Sequence, residues 1–214
     1  MFVRTTVRTL AFAFVALGTS FGASAAVLKG DPAAGEAKAA TCGACHGVDG
    51  NSAVPNFPKL AGLGEKYLVK QMQDIRSGLR PVAVMAGQVD NMTDQDLADI
   101  AAYYDSQVRS PEMADPELIE LGRKVYMSGI MDRKVAACSG CHSPSGKGNA
   151  PAGFPALAGQ HADYIAAQLK MFRKGYEDPA GRVNDGDSKI MRTTAFELSD
   201  LEIQAVAAYA SGLR

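Results

Sequence analysis

The chain has 214 residues with 22 basic and 23 acidic side chains, a formal net charge of −1. That length admits one or two domains. The charge balance, 8 basic to 10 acidic residues over 26–109 and 12 to 13 over 110–214, excludes a nucleic-acid-binding surface.

The N-terminal residues read as an export signal. Arg4 and Arg8 supply the positive start, Leu10 to Leu17 an apolar run, and Ala23-Ser24-Ala25 a small-x-small cleavage pattern. The alternative is a membrane anchor, but the run is shorter than the roughly 20 residues that span a bilayer. Residues 1–25 are therefore expected to be removed, leaving 20 basic and 23 acidic residues in a periplasmic product. No later stretch is apolar enough to cross a membrane.

Asp31-Pro32 predicts a helix start, an N-cap followed by proline at the first helical position, leading toward Cys42. Cys42-Gly43-Ala44-Cys45-His46 then spells C-x-x-C-H, followed by Phe57-Pro58-Lys59-Leu60-Ala61-Gly62. Leu68, Met72, Ile75 and Leu79 recur at helical spacing and predict a second helix. Met85 follows in a loop. Thr93 with Asp96 is a capping-box pattern opening a third helix that carries Leu97, Ile100, Ala101 and Tyr104. Ser106 to Pro116 lacks helical periodicity and joins two halves, with expected domains at 26–109 and 117–214 and a linker at 110–116.

The second half repeats the first. Asp115-Pro116 predicts a helix with Leu118, Leu121 and Val125 on one face, and Cys138-Ser139-Gly140-Cys141-His142 repeats C-x-x-C-H. Phe154-Pro155-Ala156-Leu157-Ala158-Gly159 matches 57–62 at five of six positions with an offset of 97, which also pairs Tyr67 with Tyr164, Gln71 with Gln168 and Arg76 with Arg173. Ile165, Leu169, Phe172 and Tyr176 repeat the second helix, and Ser199 with Glu202 repeats the capping box ahead of Ile203, Val206, Ala207 and Ala210. A long period occurring twice means a duplicated domain. With no alternating stretch for a sheet, the fold class is all-α.

C-x-x-C-H is the attachment signature of c-type haem: two sulfurs form thioethers to the porphyrin, and the histidine binds iron. Cys42, Cys45, Cys138 and Cys141 use every cysteine in the chain, so two covalent haem c groups are expected, with His46 and His142 as axial ligands. A Cys₄ zinc site or two disulfides would leave the histidine after each pair unexplained. One further histidine, His161, pairs with Gly64 in the repeat and reads as an exposed residue at a helix start. Bis-histidine ligation of both haems is therefore excluded. From Thr93 onward the halves align at offset 106, which pairs Met85 with Met191 and makes them the expected sixth ligands, against the alternative that they fill core space. A thioether favours Fe(II), raises the potential and closes the position that oxygen chemistry requires. The carbonyls of Pro58 and Pro155 are candidate acceptors for the histidine N–H, unless these prolines only shape a turn. Arg76 and Arg173 are candidate partners for haem propionates, the alternative being solvated surface residues.

Over essentially its whole mature length the sequence resembles the dihaem cytochrome c4 family, on CGACHG at 42–47, NFPKLAG at 56–62, DQDLADIAAYY at 94–104, CSGCHSPSG at 138–146, GFPALAGQH at 153–161 and NDGDSKIM at 184–191. The resemblance implies two tandem class I cytochrome c domains related by a pseudo-twofold axis, with propionate edges facing across the interface. It also implies tight crossings of the first and last helix of each domain, at Gly35 against the helix from Thr93 and at Gly122 with Tyr126 against the helix from Ser199. The second half departs by extra residues at 130–137 and about nine more between Tyr176 and Met191, which predicts unequal haem sites. The expected function is periplasmic electron transport in a respiratory chain. Electrons pass from a membrane donor such as a quinol–cytochrome c oxidoreductase toward terminal oxidases, without enzymatic turnover and with room for peripheral membrane association. The rival readings are a dihaem peroxidase or sulfur-compound oxidoreductase, which would need an open sixth position, and a cytochrome subunit docked in a larger complex.

Overall fold

The computed structural model describes residues 1–2 and 28–214, so the expected leader lies almost wholly outside the described residues. Within these, the first half contributes α1 (Pro32–Lys38), α2 (Gly43–His46), α3 (Glu65–Arg76) and α4 (Asp94–Asp105), with a 3₁₀ turn at Ala83–Met85. The second contributes α5 (Ile119–Ser128), a 3₁₀ turn at Met131–Arg133, α6 (Ser139–His142), α7 (Ala162–Gly175), α8 (Ile190–Phe196) and α9 (Asp200–Ser211). The described residues form no strand beyond two isolated bridges, Ile130 with Val135 and Asn149 with Phe154. No described helix is long and apolar enough to cross a membrane.

The helix starts follow their caps. Asp31 accepts from the Ala33 N–H with Pro32 behind it, and Thr93–Asp96 and Ser199–Glu202 both close full capping boxes. Asp115-Pro116 behaves differently from the sequence expectation: α5 begins only at Ile119. The Asp115 side chain accepts from the Glu117 N–H and its carbonyl from the Leu118 N–H, so a turn precedes the helix.

Two crossings organise the core. A Cβ on Gly35 would sit 2.0 Å from the Asp99 carbonyl oxygen, and one on Gly122 would sit 2.2 Å from that of Ala205. Only glycine lets α1 lie on α4, and α5 on α9, at that separation. Leu68, Ile100 and Tyr104 fill the first core, and Tyr126, Ile165, Leu169, Phe172, Ile203 and Val206 fill the second. The apolar face expected of the second helix stops early in both halves. Leu79 lies beyond the end of α3 and is exposed, and Tyr176 lies past α7, half out in solvent and stacked on Phe196.

The segment between the halves is strapped down. The Ser110 N–H donates to Asn51 Oδ1 at 2.7 Å, and buried Lys59 reaches Ser110 Oγ at 2.9 Å and Glu112 at 2.6 Å. The Arg109 guanidinium donates to the Ala61 carbonyl of one half and to the Ala156 and Ala158 carbonyls of the other. His161 is corrected here. It is buried, its Nε2 donating to the Ser52 carbonyl at 2.9 Å and its Nδ1 facing Glu112 at 3.1 Å. The repeat could not reveal this, because Glu112 belongs to the segment between the halves, which occurs once and offers Gly64 no equivalent partner.

Candidate functional site

Each C-x-x-C-H forms one helical turn, α2 or α6, in which the histidine N–H bonds back to the first cysteine carbonyl, at 3.0 Å for His46 and 2.9 Å for His142. One turn sets the two sulfurs on one face three residues apart, with the imidazole beside them. The chain then leaves through a backbone with positive φ, +79° at Gly47 and +66° at Ser143. Both histidines are buried.

His46 Nδ1 lies 2.9 Å from the Pro58 carbonyl and His142 Nδ1 lies 2.9 Å from that of Pro155. A carbonyl only accepts, so each Nδ1 carries the proton and each Nε2 presents its lone pair. Burial pulls both imidazole pKa values down, opposed by the prolyl carbonyls, which keeps the rings neutral as a metal ligand must be. Phe57 and Phe154 stand edge-on to the two rings, at 6.3 and 6.2 Å between centroids. Before haem is attached, burial pushes the Cys138 thiol up to about 11 and raises that of Cys42, which favours the protonated thiols.

The two methionines stand on different local structures. Met85 ends the 3₁₀ turn Ala83–Met85 and is half-buried. Met191 lies near the start of α8, packed on the same core as Cys138. It lines a cavity of about 1390 Å³ together with Cys138, Cys141 and His142. Met92 packs against the first core, and Leu198 is buried in the second core while also lining the cavity.

That cavity has the polarity of a haem. Its deep walls are apolar, with Ile165, Leu169, Phe172 and Val206. Its other end runs to Tyr67 and Gln71 of α3 and to Tyr164, Gln168 and Arg182, where the two halves meet. There, two guanidiniums cross the boundary in opposite directions. Arg80 donates to Tyr164 Oη at 2.9 Å and Gln168 Oε1 at 3.2 Å; Arg182 donates to Tyr67 Oη at 3.2 Å and Gln71 Oε1 at 2.7 Å. Arg182 also lies over the Phe172 ring, 4.3 Å from its centroid. Among the described residues neither arginine pairs with a carboxylate. Buried charge calls for an anionic partner. An apolar macrocycle carrying two carboxylates at one edge satisfies both ends of the cavity. The residues lining it fit one covalent haem, on Cys138, Cys141 and His142, whereas Cys42, Cys45, His46 and Met85 do not line this cavity.

Arg76 and Arg173 are placed elsewhere, which corrects the expectation of a propionate role. Arg76 donates to the Met92 carbonyl at 2.7 Å and pairs with Asp94; Arg173 donates to the Leu198 carbonyl at 2.7 Å and pairs with Asp200. They clamp the end of the second helix to the start of the last one in each half. Their recurrence reflects the fold. Arg80 and Arg182 escaped the sequence reading because the extra residues after Tyr176 put them out of register, two residues beyond Gly78 but seven beyond Gly175.

The Cytochrome c family model matches the chain twice, over residues 32–107 and 119–213. A curated relative, cytochrome c4 of Azotobacter vinelandii, is 54% identical over 193 residues, covering 86% of this chain and 90% of its own. The crystal structure of reduced recombinant cytochrome c4 from Pseudomonas stutzeri superposes with a TM-score of 0.83 at 52% identity, covering 86% of this chain and all of that one. A thiosulfate dehydrogenase electron acceptor of Stutzerimonas stutzeri is 36% identical over 176 residues, covering 80% of this chain and 78% of its own.

Proposed function

The chain belongs to the dihaem cytochrome c4 family and is a dihaem electron-carrier cytochrome with two covalently bound haem c groups, and on that premise we propose that it is a periplasmic one-electron shuttle with both irons ligated by histidine and methionine. Cys42 and Cys45 hold one haem, ligated by His46 and Met85. Cys138 and Cys141 hold the other, ligated by His142 and Met191. The observation that carries this reading is the matched proximal geometry, in which each imidazole Nδ1 is tied to a prolyl carbonyl at 2.9 Å and each Nε2 is turned outward.

When bound, each haem supplies a one-electron iron couple with a comparatively high potential under His/Met ligation. The protein's own groups do the rest. Pro58 and Pro155 fix the imidazoles, which would hold them on the iron in both oxidation states. Met85 and Met191 would each offer a thioether to the iron and deny that position to oxygen or peroxide, which would make the chain a carrier and not an enzyme. Arg80 and Arg182 would receive the propionates at the boundary, where neither pairs with a carboxylate among the described residues. Tyr67 and Gln71 with Tyr164 and Gln168 orient the guanidiniums there.

We assign the donor to a membrane respiratory complex, such as a quinol–cytochrome c oxidoreductase, and the acceptor to a terminal oxidase, reached by small transient contacts that include peripheral association with the membrane. The relative described as accepting electrons from thiosulfate dehydrogenase supports a second donor class, soluble sulfur-compound dehydrogenases. Spectra of the oxidised and reduced haem-loaded protein test the ligand set. Two low-spin haems are expected, with the methionine-to-iron band falling by half in Met85→Ala and again by half in Met191→Ala. A high-spin haem in the parent protein would favour an enzyme with an open site.

A further inference from the structure

The Pro58 carbonyl that holds His46 and the Lys59 N–H are the two ends of one peptide group, and that N–H is bonded from the other half of the molecule. Gln160 Oε1 accepts from Lys59 N at 2.8 Å while Gln160 Nε2 donates to Lys59 O at 2.8 Å, across 101 residues of sequence. The amide orientation is fixed, since a backbone N–H only donates and a carbonyl only accepts. Gln160 is 2% exposed. A buried glutamine clasping both polar groups of one residue is a built contact.

The repeat supplies an internal control. Offset 97 pairs Lys59 with Ala156 and Gln160 with Leu63. There, too, the peptide behind the proximal carbonyl is bonded across the boundary. Pro155 holds His142, and the Ala156 N–H points to the Leu63 carbonyl, but at 3.4 Å. One relay ends on a side-chain amide at ordinary hydrogen-bond length, the other on a backbone oxygen beyond it.

We propose that Gln160, although part of the second half, is a positioning residue for the first haem: it sets the donor strength of His46 through the Pro58–Lys59 peptide and thereby selectively lowers the first haem's reduction potential. Accepting from the N–H end of an amide increases the negative charge on its carbonyl oxygen, and hydrogen bonds in series strengthen one another. The Pro58 carbonyl then draws harder on Nδ1–H, the imidazole becomes a stronger base, and the ferric state is favoured. The inference rests on His46 being the axial ligand.

The test is a haem-resolved redox titration of the full haem-loaded protein, with each haem followed by its own NMR resonances and the His46 Nδ1–H proton shift read alongside. Gln160→Leu removes the acceptor and puts there the residue type found at position 63. The first haem's reduction equilibrium should rise threefold to tenfold, about 30 to 60 mV at 59 mV per tenfold for one electron, while the second stays in place. The Nδ1–H signal should move toward a weaker bond. Gln160→Glu keeps an oxygen at the Lys59 N–H and should leave the first potential unchanged or lower, which keeps the idea testable if the leucine variant folds poorly. An unchanged first haem in Gln160→Leu, equal shifts of both haems, or a rise in Gln160→Glu would overturn the proposal. A parent protein whose first haem lacks histidine ligation would be recognised before any variant is made and would remove both the ligand assignment and this inference.

Discussion

The two halves are built on one plan and fastened differently. Both cap their last helix with the same box, cross their first and last helices at a glycine, clamp the second helix with an arginine and hold the histidine with a prolyl carbonyl. They diverge where a half meets something present only once. Lys59 and His161 converge on Glu112 of the linker, Gln160 clasps Lys59 while Leu63 offers only its backbone to Ala156, and Arg133, in the extra residues of the second half, pairs with Glu202. The devices that make a fold and a haem site recur in both halves, and the differences lie at the seam and in the extra residues of the second half.

The strongest way to break the comparison is to empty one half. Replacing Cys42 and Cys45 by alanine should drop the haem content from two per chain to one, as should replacing Cys138 and Cys141, with the loss read by mass and absorbance. Each pair should unfold its own half first, since small cores depend on the group they enclose. Next come the crossings: Gly35→Ala and Gly122→Ala should each cost about 3 kcal/mol in denaturant unfolding, because the new methyl meets a backbone carbonyl that has no room to yield. A large gap between the two costs would show that one crossing is looser than its mate.

Acid separates the halves more finely. Arg133 and the Ser199 cap hold Glu202 down at about 2, against a usual value of 4.5. A carboxylate depressed in the folded state contributes stability that is full above about pH 4.5 and lost as the pH falls toward 2. Glu202→Gln should flatten the acid limb of a stability profile in that window. Asp96, depressed chiefly by Lys38 and also by Thr93, does the same for the first half below its usual 3.8, so Asp96→Asn should flatten a second component. The smallest effects are of opposite sign. Gly47→Ala should destabilise by about 2 kcal/mol, with φ at +79° and a Cβ 2.8 Å from the Asn51 carbonyl oxygen. Ser143→Gly should stabilise by about 0.5 kcal/mol, relieving the same backbone strain but giving up the bond from the Lys147 N–H to Ser143 Oγ.

What repeats was legible in the sequence. The fold class, both capping boxes and the two cysteine pairs stand out because local chemistry and the duplication point the same way, while both glycine crossings follow from the family resemblance with the repeat in support. The start of α5 was misjudged because Asp115 caps a turn before the helix can begin. Recurrence alone does not separate a helix clamp from a ligand contact, as Arg76 and Arg173 show. Arg80, Arg182, His161 and Gln160 act between halves, across as many as 115 residues in the case of Arg182 and Tyr67. Long-range pairing of single residues leaves no periodic trace.

The central claim is that both haems are closed, six-coordinate one-electron centres. A redox titration of the haem-loaded parent protein, followed by absorption and electron paramagnetic resonance, tests it most directly. Two one-electron steps, two haems per chain, low-spin ferric paramagnetic resonances that vanish on reduction, and low-spin absorption in both oxidation states are the predicted result. A high-spin component, or a haem that changes ligand on reduction, would contradict it.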